Sequence, residues 1–359
     1  MRPTTTDIAI IGAAGSCGRQ LAAQLLDEHV MDPSARLQLV GHHGGVSETE
    51  LHGLRADLRD AFADDAPTIE IADDPEAVDA DIVVMLAGKT VPTDPRANVD
   101  RVALARTNLA VFSAYAEVLG RRTSPPLVIV QSNPVELGVH VFSRHLGRHR
   151  VLGAGSFSDT LRFRRELADT FGTRRTHVRA LMLGQHGDHL VPVWSGVEID
   201  DHEPAEVRAV IDSLRAGRPL AGLTDEIIRH RTELLDLVAR NEVHAAFARA
   251  AELPPDIRAA VKAFLVHTTA GHTTEIVTAH SVAELVGAVL AGADAVVPVQ
   301  VRLEGELDLH GVLGMTVRLT PDGWSGVVDP GLADDEHDAL RDAVRAIDGV
   351  LALADTPAD

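Results

Sequence analysis

In the first 150 residues, apolar positions fall into short unbroken runs, separated by longer stretches where they recur every three or four residues. The runs Asp7–Ile11, Leu37–Val40, Asp81–Leu86 and Leu127–Val130 have the length and β-branched content of strands buried on both faces. A glycine-rich turn and a helix through Leu21–Leu26 follow the first run, and a helix from about Val99 to Leu119 separates the third from the fourth. Strands alternating with helices predict a parallel, doubly wound sheet.

From Val151 the pattern changes. Helical spacing over Asp159–Phe171 leads into a strand over His177–Leu183, then apolar runs at Leu190–Trp194 and Val197–Ile199. Glu203–Gly217 reads as a helix, and Thr224 to about Glu252 as one long helix with Thr224 as its N-cap. Pro254-Pro255 ends it, and helices over Asp256–Thr268 and Thr274–Ala291 follow. Ala295–Glu304, Gly314–Leu319 and Trp324–Val328 read as sheet, and Ala333–Leu351 as a polar-faced terminal helix. The expected architecture is α/β: a doubly wound domain over residues 1–150, and a second, α+β domain over 151–359.

Composition narrows the function. A chain of 359 residues with 45% apolar content buries more than one ordinary core holds. With 33 basic against 53 acidic residues the formal charge is -20, which repels nucleic acid and anionic membranes and excludes both as expected partners. Positive charge must therefore be concentrated wherever an anion binds. Only Lys89 and Lys262 are lysines; the other cations are arginines. Cys17 is the single cysteine, so no intrachain disulfide forms. Met1–Thr6 runs straight into the first strand without a signal-peptide pattern, and no apolar run is long enough to span a bilayer. A reducing cytoplasm is the expected location.

Two constellations carry chemistry. Gly12-Ala13-Ala14-Gly15-Ser16-Cys17-Gly18 lies between a strand and a helix, where glycines let the backbone approach a pyrophosphate seated on the helix N-terminus. That is the Rossmann-type dinucleotide turn, although a plain tight turn has the same composition. Cys17 reads as a small tolerated residue within it. The acid expected about 20 residues further on, for the ribose hydroxyls, is missing: the second strand ends Val40-Gly41-His42-His43. Protonated His42 and His43 suit a 2′-phosphate, which points to NADP or relaxed cofactor choice; as solvated loop residues they would carry no such role. In the second half, Asp159 and Arg162 share a helix face, and His186 lies in Gly184-Gln185-His186-Gly187-Asp188-His189, just after a strand. A carboxylate beside a histidine fixes its tautomer, and an arginine grips a substrate carboxylate with two parallel hydrogen bonds. Each of these residues alone is as compatible with a structural role.

Together they resemble the malate/lactate dehydrogenase family over most of the chain. The likeness runs, in the family's order, through Gly12–Gly18, Gly53–Leu58, Ala80–Gly88, Arg101–Asn108, Ser132-Asn133-Pro134, Leu152–Arg164, Gly184–Asp188 and Val191–Gly196. The Gly-Ala-Ala-Gly-x-x-Gly form is typical of the malate enzymes. The resemblance implies that His186 is the acid/base and Asp159 its carboxylate partner. It implies substrate contacts from Arg162, Arg101, Asn133 and Thr274, with Arg96 as the second cation for a distal carboxylate. It also implies that the cofactor lies along Gly12–Gly18, Gly41, His42, Ala87, Gly88, Asn108 and Asn133. No metal is implied, and a homodimer or homotetramer is expected.

Three features depart from the family pattern: the ribose-binding acid is absent, Gln185 precedes His186, and Asp200–Thr268 is several tens of residues longer than usual, a helical insertion at about 200–268. The expected function is hydride transfer between NAD or NADP and a small 2-hydroxy acid, with malate/oxaloacetate first. Lactate or another 2-hydroxy acid, and a catalytically idle nucleotide-binding protein, remain as alternatives.

Overall fold

The computed structural model describes residues 5–90, 92–96, 101–271, 273–292 and 294–355. The chain opens with β1 (Ile8–Ile11), α1 (Ser16–Asp27), β2 (Arg36–Val40), α2 (Val46–Ala61), β3 (Thr68–Ala72), β4 (Ile82–Met85), α3 (Arg101–Gly120), β5 (Leu127–Val130), α4 (Val135–Leu146) and β6 (Val151–Gly153). These six strands are parallel, in the order β3-β2-β1-β4-β5-β6. The order reverses between β1 and β4, and the crevice beyond the strand ends at such a reversal is where open α/β sheets bind ligands.

Period-two alternation explains why such short strands suffice. Ile8 and Ile10 pack with Leu21 and Leu25 of α1 on one face, while Ala9 and Ile11 pack with Phe112 of α3 and Phe142 of α4 on the other. All four β1 side chains are fully buried. At about 1.5–3 kcal/mol for each large apolar side chain removed from water, a central strand contributes far more by burial than by propensity.

Beyond β6 come α5 (Gly155–Phe171), β7 (Val178–Arg179), β8 (Met182–Gly184), β9 (Leu190–Pro192), β10 (Glu198–Ile199), α6 (Pro204–Arg215), α7 (Leu223–Ala239), α8 (Val243–Ala251), α9 (Pro255–Ala270), α10 (Glu275–Leu290), β11 (Val296–Glu304), β12 (His310–Thr320), β13 (Gly323–Val327) and α11 (Asp334–Leu351). The sheet does not stop at β6. Strand β11 pairs antiparallel with it through Gln300 and Gly153, and β12, β8 and β9 continue the same sheet, with β13 on β12. Among the described helices none is long and apolar enough to cross a membrane.

The structure differs from the periodicity reading in several places: α2 and α4 were not expected, and the strand expected over His177–Leu183 is two, β7 and β8, in separate sheets. β3 and β6 were not expected: β3 carries Glu70 between apolar residues, and β6 has only three residues before Ala154. The helix expected from Thr224 to Glu252 is two, because Asn241 adopts a left-handed φ of 63° and Glu242 N–H turns back to Leu237 O at 2.9 Å. Asparagine tolerates that conformation better than most residues, so the chain breaks there without glycine or proline. Finally, α7 begins at Leu223, with Gly222 rather than Thr224 at the N-cap, and the Thr224 hydroxyl instead faces His189 Nδ1 at 3.3 Å.

Candidate active site

The glycine-rich turn connects β1 to α1. Gly12 has φ 88°, and a Cβ there would lie 2.7 Å from Ala87 N, so only glycine lets the β1 and β4 ends approach this closely. The turn is tied to β2 by Gly12 and Ala13 N–H groups on Val40 O, at 2.9 and 3.2 Å. Gly15 caps α1 without a side-chain acceptor, so the first-turn N–H groups at Ser16–Gly18 stay available to an anion. Cys17 is a protonated thiol: burial, with help from the Glu275 carboxylate, pushes its pKa up to about 11. The end of β2 carries Gly41, exposed His42 and exposed His43. His43 Nδ1 lies 2.7 Å from Asp73 Oδ2 and 3.8 Å from Glu48 Oε2. Those contacts raise its pKa, the Asp73 hydrogen bond most.

Asn108 does not face the cleft. It is fully buried in α3, with Oδ1 accepting from Lys89 N–H at 2.7 Å and Nδ2 donating to Lys89 O at 2.8 Å and Asn133 O at 2.6 Å. One side chain thus holds the backbone at Ala87–Lys89 against that at Asn133, which is itself exposed at the cleft. Ser132 adds a hydroxyl bond to Ala87 O at 2.7 Å.

The second constellation assembles around α5. His186 follows β8, and its Nδ1 lies 2.6 Å from Asp159 Oδ2. Because an ionised carboxylate only accepts, Nδ1 carries the proton in the neutral ring and Nε2 is left with a lone pair. Asp159 Oδ1 accepts from Arg162 Nη1 at 2.9 Å; Nη1 also reaches Ser158 Oγ at 3.3 Å, and Nη2 reaches Thr274 Oγ1 at 3.1 Å. The ring sits directly over the start of α5: a Cβ on Gly155 would meet His186 Cγ at 2.7 Å. Side chains of His186, Asp159 and Arg162 are 15, 8 and 14% exposed, so their charges act through little water. Burial alone would push the imidazole down; the Asp159 carboxylate more than reverses this, and His186 titrates above the 6.5 of a free imidazole. Burial likewise raises Asp159, but His186 and Arg162 overcome it and hold the carboxyl below 3.8.

Beneath the histidine lies a residue that the sequence reading missed. Glu136, on the first turn of α4, is fully buried, and its Oε1 accepts from His186 N–H at 2.7 Å. Its Oε2 has no hydrogen-bond partner among the described residues, and burial pushes the carboxyl up to about 7. In sequence it looks like an ordinary acid at a helix N-terminus, which hides the contact. Helix α7 also reaches this loop. Arg231 of α7 pairs with buried Asp188 and stacks its guanidinium 4.6 Å from the Phe264 ring centroid. Gln185 stitches the turn internally, donating to His186 O at 2.8 Å and accepting from His189 N–H at 3.1 Å.

His186, Arg162, Asn133 and Thr274 line one cavity of about 110 Å³, with Cys17, Gly88, Lys89 and Thr278 around them. Thr278 stands one helical turn beyond Thr274, a spacing that could have flagged it. Arg96 is not brought to this cavity. Its Nη2 donates to Ala239 O, at the C-terminal end of α7, at 2.6 Å, where a cation is favoured by the helix dipole. Arg101 opens α3, and its side chain lies outside the described residues.

Comparison with known proteins agrees with this assembly. The family model for the lactate/malate dehydrogenase NAD binding domain matches residues 6–153. A malate dehydrogenase of Halobacterium salinarum is 29% identical over 350 residues, 95% of this chain and 97% of that protein. An L-lactate dehydrogenase of Salinibacter ruber is 27% identical over 271 residues, 75% of this chain and 74% of that one. Among solved structures, the malate dehydrogenase of Cryptosporidium parvum superposes with a TM-score of 0.73 at 22% identity, covering 98% of this chain and 99% of that one. The nucleotide-binding part of the chain thus matches the lactate/malate dehydrogenase model, and relatives that span nearly all of the chain include malate dehydrogenases at 27–29% identity.

Proposed function

We propose that the protein interconverts a small 2-hydroxy acid and its 2-oxo acid, with malate and oxaloacetate as the pair, using NAD. The observation that carries the reading is the contact chain His186–Asp159–Arg162–Thr274 within one small cavity at the mouth of the nucleotide crevice.

Arg162 orients the acid by its carboxylate. His186 Nε2 accepts the hydroxyl proton during oxidation and returns it during reduction. Asp159 keeps the ring in the Nδ1–H tautomer and stabilises the imidazolium that each oxidation leaves behind. When bound, the nicotinamide supplies the chemistry this chain lacks, accepting and returning a hydride. The residues that would hold the cofactor are those of Gly12–Gly18 with the backbone around Ala87 and Gly88; the close approach permitted by Gly12 fits a pyrophosphate. NAD is favoured over NADP because the charge on His43 is already matched by Asp73 and Glu48, so an added 2′-phosphate meets net negative charge.

The test is absorbance at 340 nm with oxaloacetate, pyruvate and branched 2-oxo acids, each against NADH and NADPH. Oxaloacetate with NADH should give the highest kcat/KM; no turnover with any pair would sink the reading.

Reduction needs protonated His186, so its kcat/KM should fall as pH rises through the His186 pKa, above 6.5 in the native enzyme. Asp159→Asn removes the largest group that raises that pKa, leaving Glu136 to raise it and burial and Arg162 to lower it. The limb should then move to lower pH, with kcat reduced throughout. An unmoved limb would mean that another group titrates.

A further inference from the structure

We propose that Lys89, rather than Arg96, is the cation that receives the second carboxylate of a dicarboxylate substrate, and so selects a four-carbon diacid over a monoacid. The inference rests on the hydride-transfer reading above, and it concerns a residue to which that reading gives no role.

A diacid bound in a small cavity needs a cation for each carboxylate, since an unpaired buried carboxylate is expensive. The cavity that holds His186 is also lined by a guanidinium, that of Arg162, and an ammonium, that of Lys89. Among the described residues Arg162 has Asp159 as its ion-pair partner, while no carboxylate lines the cavity beside Lys89. Arg162 stands on α5, tied to Asp159 and to Thr274 just before α10, whereas Lys89 follows the end of β4.

The two candidates for the second position differ in how they are held. Arg96 is engaged with Ala239 O on α7 and does not line the cavity. Lys89 is gripped at both backbone groups by Asn108, the same buried side chain that holds Asn133 O. Its Cα is therefore fixed relative to the substrate-facing Asn133, while its ammonium makes no ion pair among the described residues. A flexible four-carbon stem on an anchored Cα delivers a point charge over a range of positions, which suits a carboxylate whose distance from Arg162 varies with chain length. This lysine stands out in a chain whose only other lysine, Lys262, is spent on Glu166 at 2.7 Å.

The test compares Lys89→Met, Lys89→Arg and Arg96→Met with the parent enzyme, using oxaloacetate and pyruvate with NADH, and measures NADH binding separately by calorimetry. Lys89→Met should raise KM for oxaloacetate roughly 10- to 100-fold, the loss expected for one charged hydrogen-bonding contact, with pyruvate kinetics and NADH affinity unchanged. Lys89→Arg should restore most of the preference, and Arg96→Met should leave it intact. The proposal is overturned if Lys89→Met leaves the oxaloacetate-to-pyruvate ratio unaltered, if the ratio collapses in Arg96→Met instead, or if Lys89→Met weakens NADH binding and affects both substrates equally. A parent enzyme that turns over neither acid would instead overturn the hydride-transfer reading, a result separate from any of these.

Discussion

Replacing His186 by Asn should lower kcat/KM in both directions by about 10²- to 10⁴-fold, the usual contribution of a positioned general acid–base. The effect should be large because nothing else in the cavity can take the role. Asp159 is held below 3.8 and Cys17 above its free value, so at neutral pH the first has no proton to give and the second none to lose. Glu136 titrates near 7, but it lies behind the backbone of His186, with Oε1 already accepting from His186 N–H. Asparagine keeps the amide at residue 186 that Glu136 grips, and its side chain is short enough to fit above Gly155. The variant should therefore fold and bind NADH with parental affinity. Calorimetric NADH binding together with stopped-flow reduction of oxaloacetate measures both halves of the statement. Retention of more than a tenth of parental kcat would remove His186 from the proton path.

How legible this site was in the sequence depended on whether each residue's role is local. The glycine turn after β1 is local: a strand, a required positive φ and a helix start follow one another within a dozen residues. Asp159 and Arg162 are local too, since three residues apart on a helix puts them on one face. His186 acquired meaning only through family order, because its distance to Asp159 is set by the pairing of β8 with β12 and by the packing of α5 beneath β8. Glu136 and Arg231 gave no signal at all, and Lys89 gave only its rarity in a chain of arginines. Each looks like an ordinary surface charge, and each is given its place by tertiary packing: α4 under the β8 turn, Asn108 under Lys89, and α7 beside Asp188. Arg96 shows the opposite failure. Its position in the expected substrate loop suggested a clamp, but Ala239 O, at the end of α7, was invisible as a partner until the chain was folded.

Arg162→Leu should raise KM for the 2-oxo acid and lower kcat/KM by roughly 30- to 5,000-fold, about 2–5 kcal/mol for truncating one partner of a buried, hydrogen-bonded charge pair. The guanidinium has five N–H donors, and its described partners are Asp159, Ser158 and Thr274. Nη1 is spent on the first two and one Nη2–H on the third, which leaves Nε–H and the second Nη2–H. An Nε–H and an Nη–H on one edge of a guanidinium meet a carboxylate with two parallel bonds. Leucine removes that edge and also leaves Asp159 with His186 as its only cation, so two effects combine and can be separated. Loss of the substrate contact raises KM at every pH. Loss of the ion pair raises the His186 pKa further, since Arg162 is among the groups that lower it, and so moves the pH limb of the reduction reaction upward. Arg162→Lys retains the charge but not the fork, and should recover the parental pH limb while leaving most of the KM defect. If lysine instead restored KM fully, the arginine would be acting as a point charge, and the two-bond grip on the substrate carboxylate would have to be abandoned.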